Sequence, residues 1–316
     1  MIIKKIIHNI QYPNSLTEYV ALTAFRRYKV YKIPKRNGKG FRTIAQPTKL
    51  VKTIQREIVN NFLAKFPIHP CATAYIQESN ILKNTTPHLK NKFLLKMDFS
   101  NFFNNISSSD FLEYINENGI KEKYDLDNED INFLINSLFW LPKGNKNKIL
   151  SIGAPSSPIL SNILLFNFDE KIHKYCQSKS IVYTRYADDL AFSCNQKNIL
   201  NDVETFVQEL SSNIKSPHLI INQDKTIHSS KKHNRHLTGI TITNEAYPSL
   251  GHKRKIILKS LIHKFINKQL NRDEINYLSG MLNFANLVDL PFIERMKNKY
   301  GVETIYKIKN IQHARK

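Results

Sequence analysis

Asp188 and Asp189 stand side by side in the stretch Ile181-Val-Tyr-Thr-Arg-Tyr-Ala-Asp-Asp-Leu-Ala-Phe-Ser193. β-Branched and aromatic residues on both sides of the pair predict two short strands joined by a tight turn that carries the acids. Successive strand residues point to opposite faces, so adjacent aspartates converge only where the backbone turns. Two carboxylates forced together raise each other's pKa unless a cation neutralises both, which a hard divalent ion with oxygen ligands does best. Asp-Asp at a solvated hairpin tip would carry no chemistry, since acids are common turn formers. The apolar strand residues around this pair weigh against that reading. A third acid, Asp98, ends the apolar run Phe93-Leu-Leu-Lys-Met-Asp98, and an acid there is costly to bury unless it is paired or binds metal. Three carboxylates on one sheet can hold two magnesium ions about 3.5–4 Å apart. One ion would lower the pKa of a primer hydroxyl and the other would steady a pyrophosphate leaving group, which is in-line nucleotidyl transfer.

The elements that position these acids are legible in outline. Tyr28-Lys-Val-Tyr-Lys-Ile33 and Phe41-Arg-Thr-Ile-Ala45 read as strands around the turn Pro34-Lys-Arg-Asn-Gly-Lys-Gly40. That hairpin carries Lys32, Lys35, Arg36, Lys39 and Arg42, with Lys35 and Arg42 the best placed to clamp a triphosphate. Lysines also guard edge strands, so a merely solvated hairpin is the rival reading. Periodicity predicts helices over 48–66, 108–118, 128–139, 159–166 and 199–214. Gly153-Ala-Pro-Ser-Ser-Pro158 opens the fourth of these, and its glycine would let backbone approach a base pair or sugar. Leu219-Ile-Ile-Asn-Gln-Asp-Lys225-Thr reads as a strand and turn with a lysine near its end.

From His252 to Arg272 there are seven lysines and arginines and no acid, interleaved with Ile257, Leu258, Leu261, Ile262 and Phe265. This predicts a helix with a buried apolar face and a basic face, Lys255 and Lys259 included, that could track phosphates; a solvated lysine surface is the rival. The alternation of strands and helices before it predicts an α+β fold, with a division at the turn Tyr247-Pro-Ser-Leu-Gly251, between 1–245 and 246–316.

A chain of 316 residues with 47 Lys and Arg against 26 Asp and Glu carries a formal charge of +21. A surplus of that size points to a polyanion, nucleic acid ahead of a membrane surface. Cys71, Cys176 and Cys194 form no Cys-x-x-Cys pair and read as reduced thiols of a cytoplasmic protein. Lys4 and Lys5 interrupt the apolar N-terminal run before it becomes a signal peptide, and no stretch is long and apolar enough to span a membrane. His228, His233 and His236 cluster without the acid or cysteine pattern of a zinc site.

Taken in order, these fragments resemble reverse transcriptases. Tyr186-Ala-Asp-Asp189 resembles their catalytic box, Asp98 with Phe102-Phe103 their first catalytic block, and Gly153-Ala-Pro-Ser-Ser-Pro158 the block between. The likeness covers roughly residues 25 to 300. Within the family the chain is most similar to bacterial retron enzymes: Asn84-Thr-Thr-Pro-His88 is similar to their Asn-x-x-x-His signature, and Leu237-Thr-Gly239 resembles their Val-Thr-Gly, with Leu in place of Val.

The resemblance implies a right-hand fold with fingers and palm in 1–245, the palm an antiparallel sheet with helices, and a helical basic thumb in 246–316. It implies an RNA-directed DNA polymerase that uses dNTPs and two Mg2+ ions and binds its own structured noncoding RNA. Priming from a 2′-hydroxyl of that RNA would give a branched product, multicopy single-stranded DNA (msDNA), acting with a separately encoded effector protein in defence against phage. Asp98, Asp188 and Asp189 would ligate magnesium with the Phe99 carbonyl assisting. Phe103 matches the steric gate that excludes a ribonucleotide 2′-hydroxyl, and Lys225 the lysine that protonates pyrophosphate. Asn84, His88, Thr238 and Gly239 would be RNA contacts, with a purely structural role the alternative. Ile152 stands where many of these enzymes have glutamine, and the loop 142–150 separates Leu-Pro-x-Gly from the block it usually adjoins. A group II intron or diversity-generating enzyme is the nearer rival, and against the intron type the chain ends soon after the thumb; a non-catalytic RNA-binding scaffold is the more distant one, against which all three carboxylates are present.

Overall fold

The computed structural model describes residues 6–35, 38 and 40–311. The hairpin cations Arg36 and Lys39, and Lys4 and Lys5 of the N-terminal run, lie outside the described residues. The chain forms two compact units, one of residues 1–79, 95–192 and 198–227, the other of 80–94, 193–197 and 228–316.

In the first unit, β1 (Tyr28–Pro34) and β2 (Phe41–Pro47) form the expected hairpin, in antiparallel register from Tyr28 opposite Pro47 to Pro34 opposite Phe41. Its base is anchored by Ala45, Trp140, Ile149 and Tyr28, and its outer half is exposed. β3 (Phe93–Asp98), β4 (Val182–Tyr186), β5 (Asp189–Cys194) and β6 (Ile227–Ser230) make a sheet in the order β4-β5-β3-β6. The strand ends Phe93–Leu94, Ser193–Cys194 and His228–Ser230 are counted with the second unit. Leu94, Leu95, Met97, Leu190, Ala191 and Phe192 are buried, which is why these strands read as apolar runs rather than alternating ones.

The helices Ser108–Glu117 and Asn128–Leu138 begin at capping boxes, Ser107 with Asp110 and Asp127 with Asp130. Lys49–Asn61 is a helix before them, and Ser157–Leu164, Phe166–Ser178 and Ile199–Asn213 are helices after them. The 142–150 loop is closed at its base, where Trp140 and Ile149 exchange two backbone hydrogen bonds of 2.9 Å. The strand expected at 219–222 does not form. Only Ser100 N–H to the Ile220 carbonyl (2.8 Å) and Asn222 N–H to the Asp98 carbonyl (2.7 Å) tie that segment to the end of β3, and two bonds do not make a ladder; Gln223–Lys225 is a turn of 3-10 helix.

The second unit contains the small antiparallel sheet β7 (Arg235–Leu237), β8 (Ile240–Ile242) and β9 (Pro248–Ser249). Four helices follow, His252–Ile266, Arg272–Val288, Leu290–Tyr300 and Val302–Lys309. Leu258, Ile262, Leu278, Leu282, Phe292, Ile293 and Ile305 fill their core. Ile257, expected on the buried face, is 46% exposed. Segments that precede the composition shift belong to this unit because they bond to it: the Lys92 carbonyl accepts from Lys231 N–H at 3.1 Å, and Asn84 Nδ2 donates to Thr238 Oγ1 at 3.4 Å.

His88 is 1% exposed, its Nδ1 lies 2.7 Å from Ser193 Oγ, and Asn91 Nδ2 donates to the same hydroxyl at 2.7 Å. Burial pushes the imidazole pKa down to about 3. The fold therefore holds His88 neutral where the unfolded chain takes up a proton, so the stability it contributes is complete above pH ~6.5 and is lost as pH falls toward 3. Between pH 7.5 and 5 this group alone should remove about 2 kcal/mol in urea unfolding. The His88→Asn variant should start less stable and lose correspondingly less over that interval, and parallel pH profiles of the two proteins would refute the assignment.

Candidate active site

The acidic turn is built from below. Ala187 adopts a left-handed conformation, φ 58°, which costs a non-glycine residue about 1 kcal/mol or more and persists only where its surroundings impose it. The constraint is Arg185, whose Nη1 donates to the Ala187 carbonyl at 3.1 Å. Arg185 is wholly buried against the equally buried Asp169, with Nη2 2.6 Å from Oδ2 and Nε 2.9 Å from Oδ1. Tyr183 Oη donates to the same carboxylate at 2.8 Å, and Arg185 Nη1 also donates to Asn162 Oδ1 at 3.0 Å. Asn162 Nδ2 in turn donates to the Ala74 carbonyl at 2.8 Å. Two helices, Ser157–Leu164 and Phe166–Ser178, thus hold the turn through one buried ionic network.

Asp98 comes alongside because Phe99 N–H donates to the Asp188 carbonyl at 3.1 Å. Burial, and then the neighbouring Asp98 charge, raises the Asp188 pKa. Burial, with repulsion from Asp188 and Asp98 and a hydrogen bond to Asp98, pushes Asp189 up to about 7. Opposing these charges are Lys225, whose Nζ is 2.8 Å from Asp98 Oδ1, and Arg42, which acts on Asp188 and on Tyr75. Lys96 lies near enough to Asp189 to feel its charge.

Among the described residues no group of three or more His, Cys, Asp or Glu side chains is drawn together as a ready metal cage. The expected trio is instead a mutually repelling set with an ammonium on one member. Its chemistry nevertheless fits hard divalent ions, because oxygen donors whose ionised forms are penalised by burial and by one another are relieved by a cation between them. Asp98, Asp188 and Asp189 are the side chains that would hold such ions.

Beside the acids, Phe99 and Phe102 stack inside the core with centroids 5.7 Å apart, while Phe103 is only half-buried and pairs with Tyr75 at 6.4 Å. Tyr75 and Phe103 line a pocket of ≈ 340 Å³ with Ile152, Gly153, Lys52 and Arg56. Gly153 has φ +118°, and a Cβ there would come within 3.3 Å of the Ala45 carbonyl, so the glycine permits the block to press on β2. Ile152 binds the same strand through its carbonyl, which accepts from Ala45 N–H at 3.1 Å. Lys35 lies exposed beside the hairpin turn.

Sequence reading passed over several of these residues. Lys52 and Arg56 are spaced i and i+4 on one helix, a signal that was available. A lone arginine inside an apolar strand, Arg185, demanded a buried acid and could have been matched to Asp169. Tyr75 carries no local signal at all. Two sets of expected RNA contacts are buried or paired. Asn84 and His88 are 0% and 1% exposed and bond to Thr238 and Ser193. Lys255 is not a solvated cation: its Nζ lies 2.7 Å from the buried Asp289 carboxylate, which also accepts from Ser249 Oγ at 2.7 Å. Of the remaining positions Lys259 and Gly239 are exposed and Thr238 half-buried, and Arg254 Nη1 donates to the Gly239 carbonyl.

Residues 33–242 match the family model described as reverse transcriptase (RNA-dependent DNA polymerase). The chain therefore belongs to the reverse transcriptases and is an RNA-directed DNA polymerase. Its type is that of the bacterial retron enzymes. It is 43% identical over 284 residues to the retron Ec83 reverse transcriptase of Escherichia coli, covering 89% of either chain. It is 32% identical over 295 residues to the retron Ec86 reverse transcriptase of the same organism, covering 91% of this chain and 87% of that one. A solved telomerase of Candida albicans in complex with a fragment of telomeric RNA is similar with a TM-score of 0.49 and 14% identity, over 96% of this chain and 58% of that one.

Removing one member of the Arg185–Asp169 pair leaves a buried charge without its partner. Asp169→Asn should therefore cost about 3–5 kcal/mol in urea unfolding. The double variant Asp169→Leu/Arg185→Met should recover most of that stability, yet nucleotide incorporation should stay at least roughly tenfold low because the Ala187 carbonyl has lost its donor. Full activity in the stable double variant would show that the network does not position the turn.

Proposed function

We propose that this reverse transcriptase copies part of its own structured noncoding RNA into msDNA, starting from a 2′-hydroxyl of that RNA to give a branched RNA–DNA product. The observation that carries the catalytic part is the meeting of Asp98, Asp188, Asp189, Lys225 and Arg42 beside the Tyr75–Phe103 pocket. Two Mg2+ ions held by the three aspartates and the Phe99 carbonyl would supply the lowered hydroxyl pKa and the charge neutralisation that nucleotidyl transfer needs.

The other roles belong to the chain's own side chains. Arg42, with Lys35 at the turn of the same hairpin, binds the triphosphate of the incoming dNTP. Phe103 fills the space of a ribose 2′-hydroxyl, Tyr75 supports its ring, and Gly153 lets backbone approach the sugar. Lys225, already an ammonium beside Asp98, holds the proton that the pyrophosphate oxygen takes as it leaves. Residues 1–245 act as fingers and palm and 246–316 as thumb, with Lys259 on the basic surface and Thr238-Gly239 as RNA contacts.

A separately encoded effector, a role in defence against phage and a cytoplasmic location complete the reading. It is supported by the relatives' retron type and, for the location, by three buried free thiols.

Primer extension on an annealed template with Mg2+ tests the catalytic part. Asp98→Asn should lower incorporation at least a hundredfold, and Lys225→Gln by roughly the same order. Phe103→Ala should retain dNTP incorporation and gain measurable rNTP incorporation. Undiminished incorporation by Asp98→Asn would remove the carboxylate assignment. Sequencing the nucleic acid that copurifies with the protein tests the rest, since a linear RNA with no branched DNA attached would contradict the msDNA reading.

A further inference from the structure

A surface pocket of ≈ 330 Å³ in the second unit has no part in the chemistry described above. Its walls are the β6–β7 connection, with Lys231, Lys232, His233 and Asn234; the β8–β9 segment, with Thr241, Thr243 and Asn244; and Gly251 and His252 at the start of a fifteen-residue helix. No Asp or Glu lines it, and Glu245, the nearest acid in sequence, is not among its walls. Lys231 Nζ donates to the Asn244 carbonyl at 3.1 Å and so braces one wall against the other. Lys232, His233 and His252 are exposed.

Two independent features make the pocket electropositive beyond its lysines. The first is Arg235, 1% exposed, whose guanidinium among the described residues donates only to backbone carbonyls, those of Asn91 and of the pocket residue Thr243 (2.7 Å), while its buried Nε has no partner among them. An arginine buried without a carboxylate is an uncompensated charge, and its field emerges through the adjoining low-dielectric wall. The second is the helix from His252. No side chain caps it and its own first turn is without acid; the Asp289 carboxylate bonded to Ser249 and Leu250 just before it is neutralised by Lys255, so the helix dipole still adds positive potential at the same rim. Gly251 is what lets that end come close: at φ +78°, a Cβ there would lie 2.6 Å from Thr241 Oγ1.

We infer that this pocket binds a backbone phosphate of RNA, with Lys232 and His252 contacting the phosphodiester and Arg235 compensating its charge from beneath. RNA is favoured over DNA because Asn234, Thr243 and Asn244 supply uncharged donors and acceptors around the same opening, which suits a 2′-hydroxyl. The inference rests on the reading that the enzyme holds a structured RNA, and it adds a site distinct from the Thr238-Gly239 turn and the Lys259 surface.

The test is equilibrium binding of a labelled RNA hairpin, and of the DNA hairpin of the same sequence, to the full chain across a salt series. Lys232→Gln removes an exposed cation from the pocket, and Lys307→Gln removes one from the surface of the C-terminal helix as a charge-matched control. For RNA, Lys232→Gln should weaken binding roughly fivefold near physiological salt and flatten the slope of log K against log salt by about one. Lys307→Gln should change neither, and primer extension at saturating template should be unaltered in both. Equal effects of the two variants, or an unchanged slope for Lys232→Gln, would overturn the pocket while leaving the polymerase reading intact. An equal loss for RNA and DNA hairpins would overturn the choice of RNA. Failure of the wild-type chain to bind the RNA hairpin at all would overturn the RNA-holding reading and the pocket with it.

Discussion

A guanidinium and a carboxylate buried without access to water carry the geometry of the active site. Arg185 and Asp169 are both fully excluded from solvent, and desolvating two such ions is expensive enough that the pair contributes little net stability. What it contributes is constraint. With Asp169 occupying two of its nitrogens and Asn162 sharing the third, Arg185 has one direction left, and that direction ends on the carbonyl of a left-handed alanine. The turn that results presents Asp188 and Asp189 beside the end of β3. An apolar core could have been as stable, but it would not have specified where that carbonyl points.

The electrostatic state of the site follows from this placement. Three carboxylates are brought near one another at the buried end of a sheet, so two have raised pKa values and one is held by Lys225. A site of this kind is under repulsion, which a hard cation between the carboxylates would relieve. Lys225 bonds to Asp98 here, and in the proposed reaction it would also serve a leaving pyrophosphate oxygen. The pocket lined by Tyr75, Phe103 and Gly153 sits beside the acids through aromatic packing and a close backbone approach. In the proposed reaction charge handling and shape selection fall to different side chains.

In the second unit, residues read as RNA contacts serve the interior. Asn84 and His88 bond to Thr238 and Ser193, and Lys255 to Asp289. Beside the exposed lysines of the 252–266 helix, Lys231, Lys232 and His252 line a pocket that adjoins an arginine buried, among the described residues, without an acid.

Much of this was legible in the chain itself. The period of the apolar residues located β1 to β5 and the principal helices, because burial on one face or both leaves a direct imprint on spacing. The Asp-Asp turn, Asp98 at a strand end and the surplus of lysine are chemical statements that need no fold to be read. What the sequence could not convey depends on atoms distant in the chain. Whether a lysine is solvated or paired with a buried acid, as Lys255 is, depends on a helix more than thirty residues later. Whether Ile221 joins a ladder depends on how many hydrogen bonds the end of β3 has left to offer. The positions of Tyr75 and Arg235 were decided by tertiary packing alone, because no local pattern distinguishes an aromatic ring that lines a pocket, or a cation sealed beneath one, from the same residue on an ordinary surface.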